Sequence, residues 1–408
     1  MTIWFDAGET LDHFDTNVHP TGVQRAALEI MRAAHDEFAD RVAYCRFVKS
    51  NGTFEAIDFD RIAAAASDAA LGDDPASLWR DLLRSGRRLI KTRARDSVLG
   101  RRASRAFAMR LARGDTVVCL GLPWKTPDYG ARIGAIKRTH AVRFALLIHD
   151  IFPYTHPEIC HRAYLDMYPR WFEAVFPQCD EIFVSSEYCR EAVRDLCLKR
   201  GWPLAPLAQI PFGIGLPVSG ARAGPGGAGW PARFVLYVSS LESRKNHSRL
   251  LRVWYRLIER HGRDAVPSLI FLGAGRLDPE LRRAAEPLGG KLAVIRRATD
   301  AVLRDAYRNC LFTVFPSLLE GWGLPVAESL AFGKFCVTSN GGSLPEAGRE
   351  LVDYFDPVDE ADMLAKVERA LFEPGYLAAR TARIEREYRP PTWRDGASRL
   401  LGVLEGSG

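Results

Sequence analysis

The sequence has no run approaching the roughly 20 apolar residues that a membrane-spanning helix needs, which argues against an integral helical membrane protein. Its opening, Met1-Thr-Ile-Trp-Phe-Asp-Ala-Gly8, turns acidic almost at once and lacks the basic region and long apolar core of a secretory signal. The expectation is therefore a protein of the cytosol, or one peripheral to the inner face of the cytoplasmic membrane. Paired cysteines are missing too. Cys45, Cys119, Cys160, Cys179, Cys189, Cys197, Cys310 and Cys336 form no Cys-x-x-Cys and stand at no zinc-finger spacing from a histidine. Reduced thiols packed as small apolar side chains fit this pattern better than disulfides or a metal. No acidic cluster of metal-binding spacing accompanies Arg244 and Lys245, and no helix-turn-helix or zinc-finger motif points to nucleic acid.

What is present is ample core material. The chain has 408 residues, 47% of them hydrophobic and 26% charged, which suits two large folded domains and not a disordered chain. The net charge of +6 is concentrated in one place. Residues 79–113 hold twelve Lys/Arg against Asp81 and Asp96, a local +10 that leaves −4 for the rest of the chain. That segment reads either as a solvated arginine-rich helical insertion or as a patch attracted to an anionic membrane surface.

Short apolar runs alternate with helix-like stretches along the whole length. Candidate strands are Thr2–Phe5, Arg41–Phe47, Thr116–Leu120, Arg143–Ile148, Glu181–Ser185 and Ala208–Pro211, with helices such as Val23–Ala34 and Glu187–Lys199 between them. A Gly/Pro/Ala-rich run at 214–230 marks a linker. The alternation then restarts with Phe234–Val238, Leu269–Leu272, Leu292–Ile295, Leu311–Phe315, Phe335–Thr338 and Val352–Phe355. A helix follows Asn246, which is placed to cap it, with Leu250, Leu251, Trp254, Leu257 and Ile258 on one face. The pattern predicts an α/β protein: a Rossmann-like domain over 1–213, a second over 231–388, parallel sheets facing each other across a cleft, and a tail over 389–408.

Two stretches carry the chemistry. In Phe315-Pro-Ser-Leu-Leu-Glu-Gly-Trp-Gly-Leu-Pro-Val-Ala-Glu-Ser-Leu-Ala-Phe-Gly333 a strand, a glycine-bearing loop and a helix follow one another. Gly321 and Gly323 permit close backbone approach, and Pro325 suits a first helical turn. The helix start would offer free N–H groups to a diphosphate. Glu320 and Glu328 lie before and inside this helix. In Val238-Ser-Ser-Leu-Glu-Ser-Arg-Lys-Asn-His247, Arg244 and Lys245 follow a strand end, where two cations can hold a diphosphate and stabilise it as it leaves.

These motifs resemble glycosyltransferase family 4, a retaining family of the GT-B fold. Glu320 and Glu328 match its pair of glutamates separated by seven residues. Arg244-Lys245-Asn246, Phe271-Leu-Gly-Ala-Gly275 and Ser343-Leu-Pro-Glu346 match further segments in the right order, over roughly 233–372. In the first half, Thr21-Gly-Val-Gln-Arg25, His149-Asp150, Ser185-Ser-Glu187 and Pro211-Phe-Gly213 resemble a bacterial surface-polysaccharide, mannosyltransferase-like branch. The resemblance implies that Glu328 binds the donor ribose, and that Glu320 with the backbone of Gly321, Trp322, Gly323 and Leu324 holds the transferred sugar. It implies that Arg244 and Lys245 bind the phosphates and that Gly22 approaches the diphosphate. His149 would contact the sugar near its reacting carbon, and Ile295 and Arg296 would touch the base. It further implies a metal-independent hexosyl transfer, from a nucleotide sugar such as GDP-mannose, to a hydroxyl of an O-antigen, capsular or lipid-linked glycan. A sugar phosphorylase or other nucleotide-sugar enzyme of the same fold, and a non-catalytic glycan-binding relic, remain open alternatives.

Overall fold

A computed structural model describes residues 1–15, 17, 20–48, 53–70, 111–126, 128–216, 218, 229–275, 279–296 and 298–406. The basic segment 79–113 lies outside these apart from Leu111–Arg113, as does most of the 214–230 run. The chain divides into two compact units, Met1–Gly213 together with Pro391–Gly408, and Ile214–Pro390.

The first unit is built on seven strands: β1 (Ile3–Asp6), β2 (Val42–Val48), β3 (Thr53–Ile57), β4 (Thr116–Cys119), β5 (Arg143–Ile148), β6 (Glu181–Val184) and β7 (Leu207–Gln209). Their order is β3-β2-β1-β4-β5-β6-β7. The sequence reading expects a parallel sheet and has no strand between 47 and 116. The structure corrects it, because β3 is an edge strand running antiparallel to β2, with Tyr44 opposite Ile57 and Val48 opposite Thr53. The signal was present: Thr-Phe-Glu-Ala-Ile follows Asn51-Gly52, a dipeptide favoured in hairpin connections. The other pairings are parallel. Strands β4 to β6 are buried throughout or nearly so, and this explains their unbroken apolar runs. Val117, Phe144, Leu146, Ile182 and Val184 pack with Tyr129, Ile133, Phe172 and Val193 from the covering helices.

The helix Trp393–Gly406 closes the same unit. It packs on the Gly22–Phe38 helix through Leu400, Leu401 and Leu404, all fully buried. Gly396 lets the same helix come close to the segment after β7, since a Cβ there would lie 2.5 Å from the carbonyl oxygen of Pro211.

The second unit is a six-stranded, wholly parallel sheet in the order β10-β9-β8-β11-β12-β13. Its strands are β8 (Phe234–Val238), β9 (Ser268–Leu272), β10 (Leu292–Ile295), β11 (Thr313–Phe315), β12 (Cys336–Ser339) and β13 (Asp353–Phe355). Alternate residues of β8 serve the two faces. Val235 and Tyr237 join Trp254, Leu257, Phe271 and Val314, while Phe234 and Leu236 join Ile270, Ala306 and Tyr307. The strand order reverses direction between β8 and β11, and in the first unit between β1 and β4. In open α/β sheets such switch points are where the loops at the strands' carboxyl ends part and a ligand can enter.

All eight cysteines are free, six of them buried. Among the described residues no helix is long and apolar enough to cross a membrane.

Candidate active site

Arg244, Lys245 and Glu320 meet at the β8/β11 switch point of the second unit. The chain leaves β8 and forms a single 3-10 turn over Ser243–Lys245. Several contacts fix that turn. The Tyr237 hydroxyl donates to the Lys245 carbonyl at 2.5 Å. The Leu318 N–H donates to the Arg244 carbonyl at 2.8 Å, and the Arg244 guanidinium donates to the Leu319 carbonyl at 2.6 Å. The two loops leaving β8 and β11 are thus stitched together before any charge is considered.

Asn246 does not act as the sequence suggests. Its side chain makes no capping bond to the His247–His261 helix. Its backbone is left-handed, with φ +59°, and its amide instead donates to the carbonyls of Pro316 and Pro357 at 3.0 and 2.9 Å. The residue clamps the exits of β11 and β13 against the turn.

Within this frame Glu320 takes one cation on each oxygen. Its Oε2 lies 2.8 Å from Arg244 Nη1 and its Oε1 lies 2.5 Å from Lys245 Nζ, with side-chain exposures of 10, 18 and 12% for the acid and the two bases. Burial raises the Glu320 carboxyl, but the charges of Arg244 and Lys245 and the hydroxyl of Ser317 outweigh it and hold the group down at about 2. Burial lowers the Lys245 ammonium against the opposing pull of Glu320. His247, the first residue of the helix, contacts Ser239 Oγ through Nε2 at 3.0 Å. Burial and then the charge of Lys245 push it down to about 3, so it is neutral at ordinary pH.

The backbone of Glu320 is held just as firmly. Its carbonyl accepts both the N–H and the hydroxyl of Ser343, each at 3.0 Å. Ser343 Oγ also reaches the Trp322 carbonyl at 2.8 Å. Gly341 and Gly342 let that segment come close: a Cβ on either would stand 2.2 Å from the Leu318 oxygen or 2.4 Å from the Glu320 oxygen. The Ser343-Leu-Pro-Glu346 motif is therefore a brace for the Glu320 loop. The Phe271–Gly275 motif has a similar explanation, since a Cβ on Gly273 would lie 2.0 Å from the Ser239 carbonyl oxygen at the exit of β8.

Glu328 lies inside the Leu324–Ala331 helix, and Gly323 provides the left-handed residue (φ +110°) before it. Glu328 is buried, and its Oε2 accepts the Tyr307 hydroxyl at 2.9 Å. Gly321, Gly323 and Leu324 are buried around the turn, and Trp322 is half-buried. Ile295 ends β10, two strands from β8, where its carbonyl accepts the Gly273 N–H at 2.9 Å. Arg296 is exposed and Arg297 lies outside the described residues.

In the first unit Gly22 is exposed at the start of its helix. His149 directly follows β5 and is buried, with Nε2 2.7 Å from the Leu120 carbonyl oxygen. A carbonyl only accepts, so this nitrogen carries the hydrogen. Burial outweighs that bond and lowers His149 to about 4, which leaves a neutral ring with Nδ1 as an acceptor.

Sequence reasoning passed over an acidic pair at the β1/β4 switch point, Asp6 buried and Glu9 half-buried. Asp6 Oδ2 accepts the Tyr129 hydroxyl at 2.6 Å, and Glu9 Oε1 accepts the Gln24 amide at 2.6 Å. Burial lifts Asp6 to about 6 and Glu9 to about 7. An acid closing an otherwise apolar first strand was the available signal. Among the described residues no group of three His, Cys, Asp or Glu could hold a metal ion.

The Glycosyl transferases group 1 family matches residues 230–387. The serotype-specific mannosyltransferase WbdA of Escherichia coli is 32% identical over 153 residues, 36% of this chain and 18% of the relative. The O-antigen chain mannosyltransferase B of Escherichia coli is 28% identical over 174 residues, 42% of this chain and 45% of the relative. The matched stretches thus span less than half the length of these relatives. Among solved structures, Anabaena Alr3699/HepE in complex with UDP and glucose matches with a TM-score of 0.63 and 13% identity over 100% of both chains. At that identity the likeness shows the fold alone, which is the GT-B class expected from the sequence. The match over 230–387 falls within the second unit, Ile214–Pro390, which is thus similar to a glycosyl transferases group 1 domain.

Proposed function

We propose that this protein is a retaining hexosyltransferase that moves mannose from GDP-mannose to a hydroxyl of a bacterial surface glycan or lipid-linked oligosaccharide. The observation that carries the reading is the meeting of Arg244, Lys245 and Glu320 at the β8/β11 switch point. Two half-buried cations on a rigid turn are suited to a diphosphate, whose charge grows as it leaves. The mannose assignment rests on the mannosyltransferase relatives.

In this reading Arg244 and Lys245 bind the two phosphates and do the electrostatic work without a metal. Glu328, buried against Tyr307, receives the ribose hydroxyls. Glu320 and the Gly321–Leu324 backbone receive the sugar hydroxyls, and Ile295 and Arg296 border the base. His149, with its unprotonated Nδ1, and Gly22 are the first unit's candidates for donor contacts. The bond from the anomeric carbon to the diphosphate oxygen breaks, and a bond to the acceptor oxygen forms on the same face. The acceptor's proton passes to the departing phosphate.

A thermal-shift screen of GDP-, UDP- and dTDP-sugars tests the donor without knowledge of the acceptor. GDP-mannose is expected to raise the melting temperature most. A larger shift with a UDP-sugar removes the donor assignment, and no shift with any nucleotide removes the enzyme reading. Release of sugar phosphate only when inorganic phosphate is added identifies a phosphorylase instead.

A further inference from the structure

The cations that the proposed function assigns to a diphosphate are already engaged by a carboxylate. Both oxygens of Glu320 are used, one on Arg244 and one on Lys245. A further acid, Glu242, is 4.0 Å from Arg244 and half-exposed. Two half-buried positive charges therefore face one buried negative charge, and the excess favours a more highly charged anion.

Resting on that reading, we propose that Glu320 is a resident counter-anion that the donor diphosphate displaces from Arg244 and Lys245, so that the same carboxylate is handed to the hydroxyls of the transferred sugar. The frame makes this a side-chain event. The Arg244–Lys245 turn is fixed by Tyr237 and Leu318, and the Glu320 carbonyl is fixed by Ser343. Only rotation about the bonds of Glu320 is needed to separate acid from bases. Glu320 does not leave by protonation, because the two cations keep it ionised far below neutral pH. It leaves by exchange with another anion.

Exchange has a thermodynamic signature. A diphosphate with no sugar attached must evict Glu320 and offers the freed carboxylate no hydroxyl donors. A buried carboxylate without partners is costly. The resident acid therefore weakens binding of a bare diphosphate and penalises it relative to a sugar-bearing donor. A carboxylate and a diphosphate in competition for one pair of cations shift each other by their difference in affinity.

Calorimetric titration of the full chain with inorganic pyrophosphate tests this. Glu320→Gln removes the competing charge and is expected to bind pyrophosphate about tenfold more tightly than wild type, with Lys245→Ala binding it at least about tenfold more weakly. Should Glu320→Gln fail to fold, Glu320→Asp, which shortens the reach to both cations, is expected to shift affinity in the same direction by a smaller factor. Equal or weaker pyrophosphate binding in the Glu320 variants, with Lys245→Ala still impaired, overturns the exchange but leaves the diphosphate site standing. Pyrophosphate binding that ignores Lys245→Ala, or that is absent from all the proteins, overturns the underlying reading as well.

Discussion

Lys245 Nζ lies 2.5 Å from Glu320 Oε1, although 75 residues separate them in the chain. The distance is set by backbone, since Tyr237 holds the carbonyl of one and Ser343 the carbonyl of the other. Lys245→Ala should therefore leave the fold in place, because Arg244 still faces the Glu320 carboxylate at 2.8 Å. Transfer should fall by roughly 10² to 10³, the usual loss when one preorganised charge is removed from a leaving group. Initial rates measured beside a far-ultraviolet circular dichroism spectrum check both halves. Near-normal turnover places Lys245 outside the diphosphate site.

Glu328 makes a separate prediction. Its carboxylate is buried against the Tyr307 hydroxyl, inside a helix whose start is fixed by Gly323. Glu328→Ala should weaken binding of a nucleoside diphosphate by about 10- to 100-fold, the range for lost hydrogen bonds to a charged group. Tyr307→Phe, which keeps the carboxylate, should cost much less. Calorimetry with GDP distinguishes them, and an unchanged affinity in Glu328→Ala contradicts its ribose role.

The legible parts of this chain are those where one physical signal dominates. Phe234–Val238 and Arg143–Ile148 stand in the structure at the expected bounds, because a strand buried on both faces is a continuous apolar run. Thr53–Ile57 was missed, because an edge strand carries polar residues and its length is short. Arg244, Lys245 and Glu320 were each legible as candidates by residue type and place. Their mutual pairing was not, because it depends on β8 and β11 lying side by side, a contact between distant segments. Asn246 misled for a related reason: it occupies the position of a helix cap, yet partners from two other loops compete successfully for its amide. The switch-point acids Asp6 and Glu9 were invisible as a pair until β1, the Gly8–Phe14 helix and Gln24 came together.

Those acids give the first unit a pH dependence of known sign. Burial is the main cause of the rise in Glu9 to about 7, against the Gln24 hydrogen bond and with help from Asp12 and Asp6. Asp6 rises to about 6 for the same leading reason. The folded chain keeps these protons at a pH where the unfolded chain has released them. Their stabilising contribution is thus complete below the ordinary carboxylate range and is lost as pH climbs to about 7. His149, lowered to about 4, acts the other way: its contribution is complete above the ordinary imidazole value and is lost as pH falls towards 4. Glu9→Gln keeps an acceptor for Gln24 and removes one titration. Its melting temperature relative to wild type should rise from pH 5 to pH 8. A difference that stays constant across that range shows that Glu9 does not titrate there.

Two glycines with nearly the same backbone separate strain from crowding. Gly333 and Gly342 have φ of +68° and +67°, so alanine pays a similar left-handed penalty of about 1–2 kcal/mol at each. Their surroundings differ. At Gly333 the nearest atom to a new Cβ is Glu385 Cγ at 3.7 Å, on a flexible side chain, whereas at Gly342 it is the Glu320 carbonyl oxygen at 2.4 Å, on fixed backbone. Gly342 also bridges Glu320 directly. Gly333→Ala should therefore lower the melting temperature modestly and leave transfer intact. Gly342→Ala has to push the Glu320 loop away from Ser343, so it should cost clearly more stability and also depress transfer, as Glu320 is carried out of register with Arg244 and Lys245. Melting curves and initial rates on the two variants decide it, and equal behaviour at the two positions removes the claim that the 341–343 segment braces the site.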